Sequence, residues 1–262
     1  MKLKIYHVDA FAEKLFSGNP AAVCPLDKWL SDDVMKLIAA ENNLSETAFY
    51  VKDGDAYHIR WFTPGGVEVE LCGHATLATS HVLFNHEGHP GDEIKFNSRS
   101  GILKVKKNSD SLTLDFPVDE YERVKTPAEL SIALNLHSKE CYRGKTDYML
   151  VYETEDQIKK IKPNFTAMGM VDGRGIICTA KGNSVDFVSR FFAPQSGIDE
   201  DPVTGSAHTT LTPYWSGVLN KKEMTAVQLS ARKGYLRCVN LGERIEISGK
   251  ARTYLKGEIE IE

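Results

Sequence analysis

Arg60-Trp-Phe-Thr-Pro64 and Arg190-Phe-Phe-Ala-Pro194 are one phrase written twice, 130 residues apart. Each is followed by an acidic loop, Gly65-Gly-Val-Glu-Val-Glu-Leu71 in the first case and Gln195-Ser-Gly-Ile-Asp-Glu-Asp201 in the second. Each loop leads to a glycine and an apolar run, Gly73-His-Ala-Thr-Leu-Ala78 and Gly205-Ser-Ala-His-Thr-Thr-Leu211. A strand–loop–helix unit repeated at half the chain length predicts two similar halves, divided near Pro117 to Thr126.

The flanking sequence fits an α+β chain built mostly from antiparallel hairpins with few helices. Leu3 to Phe11 alternates as a strand, and Ser31-Asp-Asp before Val34 to Glu41 reads as an N-cap and acidic first turn of a helix that Asn42-Asn43 ends. Strands follow at Thr47 to Val51 and Tyr57 to Phe62. The run Ala75 to Phe84 carries few charges and predicts a buried helix. Beyond Pro117, a helix is expected from Thr126, strands at Tyr148 to Tyr152, Gly175 to Thr179 and Asp186 to Phe192, and an apolar helix after Gly205.

Composition narrows the function classes. With 42% hydrophobic and 26% charged residues in 262, the chain is too apolar for disorder. A net charge of −4 without basic runs excludes the clustered cations that sequence-independent nucleic-acid binding needs. No stretch is long and apolar enough for a membrane span or a signal peptide. Five scattered cysteines without a C-x-x-C pair suit reduced thiols, so a cytoplasmic protein without a disulfide framework is expected. His86-Glu-Gly-His89 has the wrong spacing for two metal ligands on one helix face and reads as a solvated turn. No metal or nucleotide cofactor is expected, since G-x-G-x-x-G and Walker patterns are absent.

Two glycines at the mouths of buried helices leave backbone N–H groups for an anion, and paired halves suggest a carboxylate held in an inter-domain cleft. The residues at these mouths are His74, Asp201 and Ser206, and a third polar turn supplies Asn43-Leu-Ser-Glu46. Carboxylate, histidine and hydroxyl together suit proton transfer.

Asp9-Ala-Phe with Gly18-Asn-Pro, Asn43-Leu-Ser-Glu46-Thr, Phe62-Thr-Pro, Cys72-Gly-His74-Ala-Thr and Glu200-Asp201-Pro-Val-Thr-Gly-Ser206-Ala resemble the PhzF (phenazine biosynthesis-like) family, related to diaminopimelate epimerase. The resemblance spans nearly the whole chain. It implies two similar α+β domains, 1–118 with a returning strand at 250–262 and 119–249, each a mixed barrel-like sheet around a central helix. It also implies a homodimer and a cofactor-independent isomerase that moves a proton on a small carboxylate. By the same resemblance Glu46 is the general acid/base, His74 and Asp201 are its catalytic companions, and Gly73, Gly205 and Ser206 hold substrate. The related epimerase uses two cysteines; here Cys72 stands at the first position and Thr204 at the second. The alternatives are an amino-acid epimerase or racemase using Glu46 with Cys72, and a non-catalytic protein that binds small acids.

Overall fold

The computed structural model describes all residues from Met1 to Glu262. The chain divides into two units, Met1–Asp115 with Ser248–Glu262, and Phe116–Ile247. In chain order, the first run of elements is β1 (Lys2–Ala10), β2 (Asn19–Leu26), α1 (Asp32–Asn42), β3 (Glu46–Asp53), β4 (Ala56–Phe62), β5 (Glu68–Val69), α2 (Gly73–Asn85), β6 (Glu93–Ser98), β7 (Gly101–Asn108) and β8 (Ser111–Pro117). The second run is β9 (Glu122–Arg123), α3 (Ala128–Leu134), β10 (Glu140–Arg143), β11 (Asp147–Val151), α4 (Glu155–Lys160), α5 (Phe165–Met168), β12 (Gly175–Lys181), β13 (Phe187–Ala193), β14 (Ile198–Asp201), α6 (Ala207–Leu219), β15 (Glu223–Gln228), β16 (Gly234–Asn240) and β17 (Arg244–Gly249). The last strand, β18 (Ala251–Glu260), rejoins the first unit.

In the first unit, β1 lies between β18 and β2 and is antiparallel to both. From β2 the pairing runs parallel to β3, antiparallel to β4, parallel to β6, and antiparallel to β7 and β8. A parallel pair needs a crossover, and α1 and α2 supply the two. The second unit repeats the order. β10 lies between β9 and β11, antiparallel to both; β11 is then parallel to β12, β12 antiparallel to β13, β13 parallel to β15 and β15 antiparallel to β16. Its crossovers are α4 with α5, and α6.

The echoed phrase proves to be a structural part. Arg60 in β4 forks onto Glu68 through Nε and Nη2 at 2.8 and 2.7 Å, and its guanidinium covers the Phe62 ring. Arg190 in β13 does the same to Glu200 at 2.7 and 2.8 Å and covers Phe192. In each half a bidentate ion pair fixes the acidic loop against the strand before the central helix.

Both central helices are buried over most of their surface, and their small residues let strands approach. Along α2, Thr76, Thr79 and Ser80 donate to the helix's own carbonyls at Cys72, Ala75 and Thr76, which makes buried hydroxyls tolerable. This helix packs on β1, β2, β3 and β18. In α6, Pro213 sits inside the helix, and Trp215 stacks on Phe187 while its Nε1–H donates to Thr179 Oγ1 at 2.9 Å. Met35, Phe49 and Phe62 anchor one core; Leu150, Ile176 and Phe192 anchor the other.

Local signals held well. Ser31 caps α1 by accepting from Val34 N–H, and Asn43 ends it in the left-handed conformation. The helix expected at Ala75 begins at Gly73, and the one expected directly after Gly205 begins at Ala207. Sequence reading missed β15 as well as the shorter β10, α4 and α5. His86-Glu-Gly-His89 is not a solvated turn. His86 stacks on Tyr6, Glu87 accepts from Tyr6 Oη–H at 2.6 Å, and His89 Nε2–H donates to the Glu93 carbonyl.

Candidate functional site

Glu46 is the first residue of β3, opposite Ala21 of β2. The turn that delivers it is held on both sides. Ser45 Oγ–H donates to Asn19 Oδ1 at 3.3 Å, and Asn42 Nδ2–H donates to Thr47 Oγ1 at 3.1 Å. His74 comes from the first turn of α2. The fold thus brings together two residues 28 positions apart, with His74 Nε2 3.1 Å from Glu46 Oε2. Both side chains are buried, at 6% and 11% exposure.

A third member completes the cluster. Cys72 is the N-cap residue of α2, and its Sγ lies 3.6 Å from His74 Nδ1. The imidazole is therefore bracketed, thiol on one nitrogen and carboxylate on the other. Burial opposes a charged His74, yet Cys72 and Glu46 override it and hold the imidazole well above its ordinary range. Burial first, then the Glu46 carboxylate, push the Cys72 thiol up. Cys72 thus lies beside both groups. Gly73 opens α2, whose start has the geometry that can receive an anion, with the Ala75 N–H facing the Cys72 sulfur.

In the second unit Asp201 ends β14. Its carboxylate accepts from Thr204 Oγ1–H, and its backbone carbonyl accepts from Gln228 Nε2–H at 2.7 Å. Gln228 is fully buried and also accepts from Thr204 N–H at 2.9 Å. With its hydroxyl proton directed to Asp201, Thr204 serves as a structural donor. Ser206 occupies the N-cap position of α6 but makes no capping bond; its Oγ instead accepts from Arg174 Nη2–H at 3.0 Å. Arg174 in turn holds Asp147 through Nε and Nη2. Gly205 precedes Ser206 and accepts from His208 N–H. Gln228, Arg174 and Asp147 escaped sequence reading.

His208 is a different case. Its Nδ1–H donates to the Thr204 carbonyl at 2.8 Å, its Nε2 has no partner, and burial pulls it down to about 4 from an ordinary 6.5. Between those values the unfolded chain takes a proton that the folded one refuses. Stability therefore falls as pH drops from 6.5 towards 4, by up to about 3 kcal/mol. Urea unfolding at pH 7 and pH 4.5 should show that loss, and His208→Leu should show a markedly smaller one.

Comparison with known proteins places this geometry. The family model described as phenazine biosynthesis-like protein, PhzC-PhzF, matches residues 8–257. The chain belongs to that family. An uncharacterized isomerase of Pseudomonas aeruginosa is 51% identical to this PhzC-PhzF chain over 262 residues, covering all of both. The crystal structure of a PhzF-family protein of Enterococcus faecalis superposes with a TM-score of 0.97 at 48% identity, again over the whole of both chains. A predicted epimerase of P. aeruginosa shares the fold at a TM-score of 0.76 and 18% identity, covering 99% of this chain and all of that one. The PhzC-PhzF fold here is thus the epimerase-like α+β architecture expected from sequence. No helix in it is long and apolar enough to cross a membrane.

Proposed function

We propose that the chain is an isomerase that moves a proton on a small carboxylate substrate by general acid/base catalysis, without a cofactor. The buried Glu46–His74 contact of 3.1 Å carries this reading. Glu46 takes the proton from one substrate carbon and returns it to another. His74, cationic beside it, holds the carboxylate ready and balances the charge as the proton moves. The N–H groups at Gly73 and the positive end of α2 stabilise the substrate carboxylate or the developing enolate. Asp201, Gly205 and Ser206 are the second unit's part in the proposal, resting on the family's motif. A homodimer and a cytoplasmic location belong to the same expectation.

The isomerase-named relative supports this class of reaction, and the fold is shared with a predicted epimerase. One observation favours a second reading, an epimerase in which Cys72 is the other acid: its thiol points at His74. The test is a thermal-shift screen over cyclic and amino-acid-derived carboxylates, then NMR of the hits in deuterated water. Deuterium should enter the substrate carbon at a rate set by enzyme concentration. Binding without deuterium uptake would reduce the chain to a small-acid-binding protein. Cys72→Ala separates the two enzymatic readings, since an isomerase keeps exchanging and a Cys72-dependent epimerase stops.

A further inference from the structure

Glu46, Cys72 and His74 offer one oxygen, one sulfur and one nitrogen that lie within 4.8 Å of one another, all buried. Sequence reading sought metal ligands among paired cysteines and at His86 and His89. The fold assembles its donor set elsewhere, from the start of β3 and the start of α2.

Two further observations point to a ligand. Glu46 Oε2 and His74 Nε2 approach to 3.1 Å, yet neither has a properly aligned hydrogen-bond partner although both are buried. Such atoms are costly to leave unsatisfied. The spacing of the other pair is also informative. Tetrahedral zinc, with bonds of about 2.3 Å to sulfur and about 2.0–2.1 Å to nitrogen, sets those two donors about 3.6 Å apart. Cys72 Sγ and His74 Nδ1 are 3.6 Å apart. Glu46, which faces Nε2 in this structure, completes three ligands when its carboxylate swings from Nε2 to the ion.

We propose that Glu46, Cys72 and His74 bind a divalent transition-metal ion of the zinc class, and that the bound ion arrests proton transfer. The sulfur and nitrogen donors select zinc or cobalt over magnesium or calcium. Thiolate and carboxylate together neutralise the ion's two charges, and two protons, one from the Cys72 thiol and one from the His74 imidazolium, pass to solvent as the metal–sulfur and metal–nitrogen bonds form. Three protein ligands leave the fourth position to water or to a substrate oxygen. The binding half of the proposal stands on the donor set alone; the arrest rests on the catalytic role given to Glu46 above.

Cobalt is the probe for binding. Chelator-treated protein titrated with Co²⁺ should develop thiolate-to-metal charge-transfer absorbance saturating at one ion per chain, and Zn²⁺ should displace it. Cys72→Ser should lose the band while Cys24→Ser and Cys178→Ser keep it. Thermal unfolding establishes that each variant is folded, and Glu46→Gln provides a second variant that retains the thiol but binds more weakly. A wild type without the band, or a band that survives in Cys72→Ser, overturns the site whatever the isomerase assay shows. For the arrest, stoichiometric Zn²⁺ should abolish deuterium exchange and a chelator should restore it. Exchange that continues with the ion bound would overturn the arrest and, with it, the placing of Glu46 as the base.

Discussion

Glu46→Gln should fold as the wild type does and lose about 10²–10⁴-fold of the exchange between solvent and substrate, the usual contribution of a positioned acid or base. Gln matches Glu in volume and can still accept a hydrogen bond, so the turn held by Ser45 and Asn42 is undisturbed. What changes is confined to charge. The amide cannot take a proton from carbon, and His74 loses the anion that faces it at 3.1 Å. Deuterium uptake followed by NMR and a thermal unfolding midpoint measured on the same sample separate lost chemistry from lost structure. A variant exchanging at the wild-type rate would remove Glu46 from the mechanism.

Gly18→Ala should cost about 3–4 kcal/mol of folding stability, among the largest effects of a single added methyl group. Gly18 has φ +70, a conformation that costs an L side chain about 1–2 kcal/mol. Space is the larger problem. A Cβ there would sit 2.1 Å from the Ala10 carbonyl oxygen and 2.9 Å from Ala12 Cβ. Ala10 is the end of β1 and pairs with Asn19 at the start of β2, so the backbone cannot yield without opening the hairpin. Gly54→Ala is the control. It has φ +59 with open space around it, and should lose only about 1 kcal/mol. Denaturant titration of both variants measures the difference; equal losses would show that the close approach at Gly18 carries no weight.

The contrast between those glycines also marks what sequence could disclose. Phe16-Ser-Gly-Asn-Pro20 is legible as a turn, because glycine, asparagine and proline act locally. The reason for it lies in contacts: the Asp9 carboxylate accepts from Phe16 N–H at 2.9 Å and ties the loop. Ser31 and Asn43 bounded α1 correctly for the same local reason. The echo of Arg60 and Arg190 disclosed the two-fold plan, since a bidentate pair and a stacked ring demand the same residues wherever they recur. The candidate cluster was harder. His74 was legible at a helix mouth and Glu46 in a polar turn, but no periodicity relates them, and the acid/base role came from the family resemblance. Gln228 was out of reach, because its task depends on β15 passing beside the 201–204 turn, which only the tertiary fold decides.

The place of β18 has a consequence for how such a chain is made. β1 runs alongside β18 from Lys2 opposite Glu260 to Ala10 opposite Ala251. A ribosome completes β1 some 240 residues before it reaches β18. At about 5–20 residues per second the delay is about 12–50 s. Throughout synthesis of the second unit, the outer edge of β1 lacks its partner and could recruit a strand from a neighbouring nascent chain. Lys2 and Lys4, exposed on that edge, are the kind of charges that deter such pairing until β18 arrives.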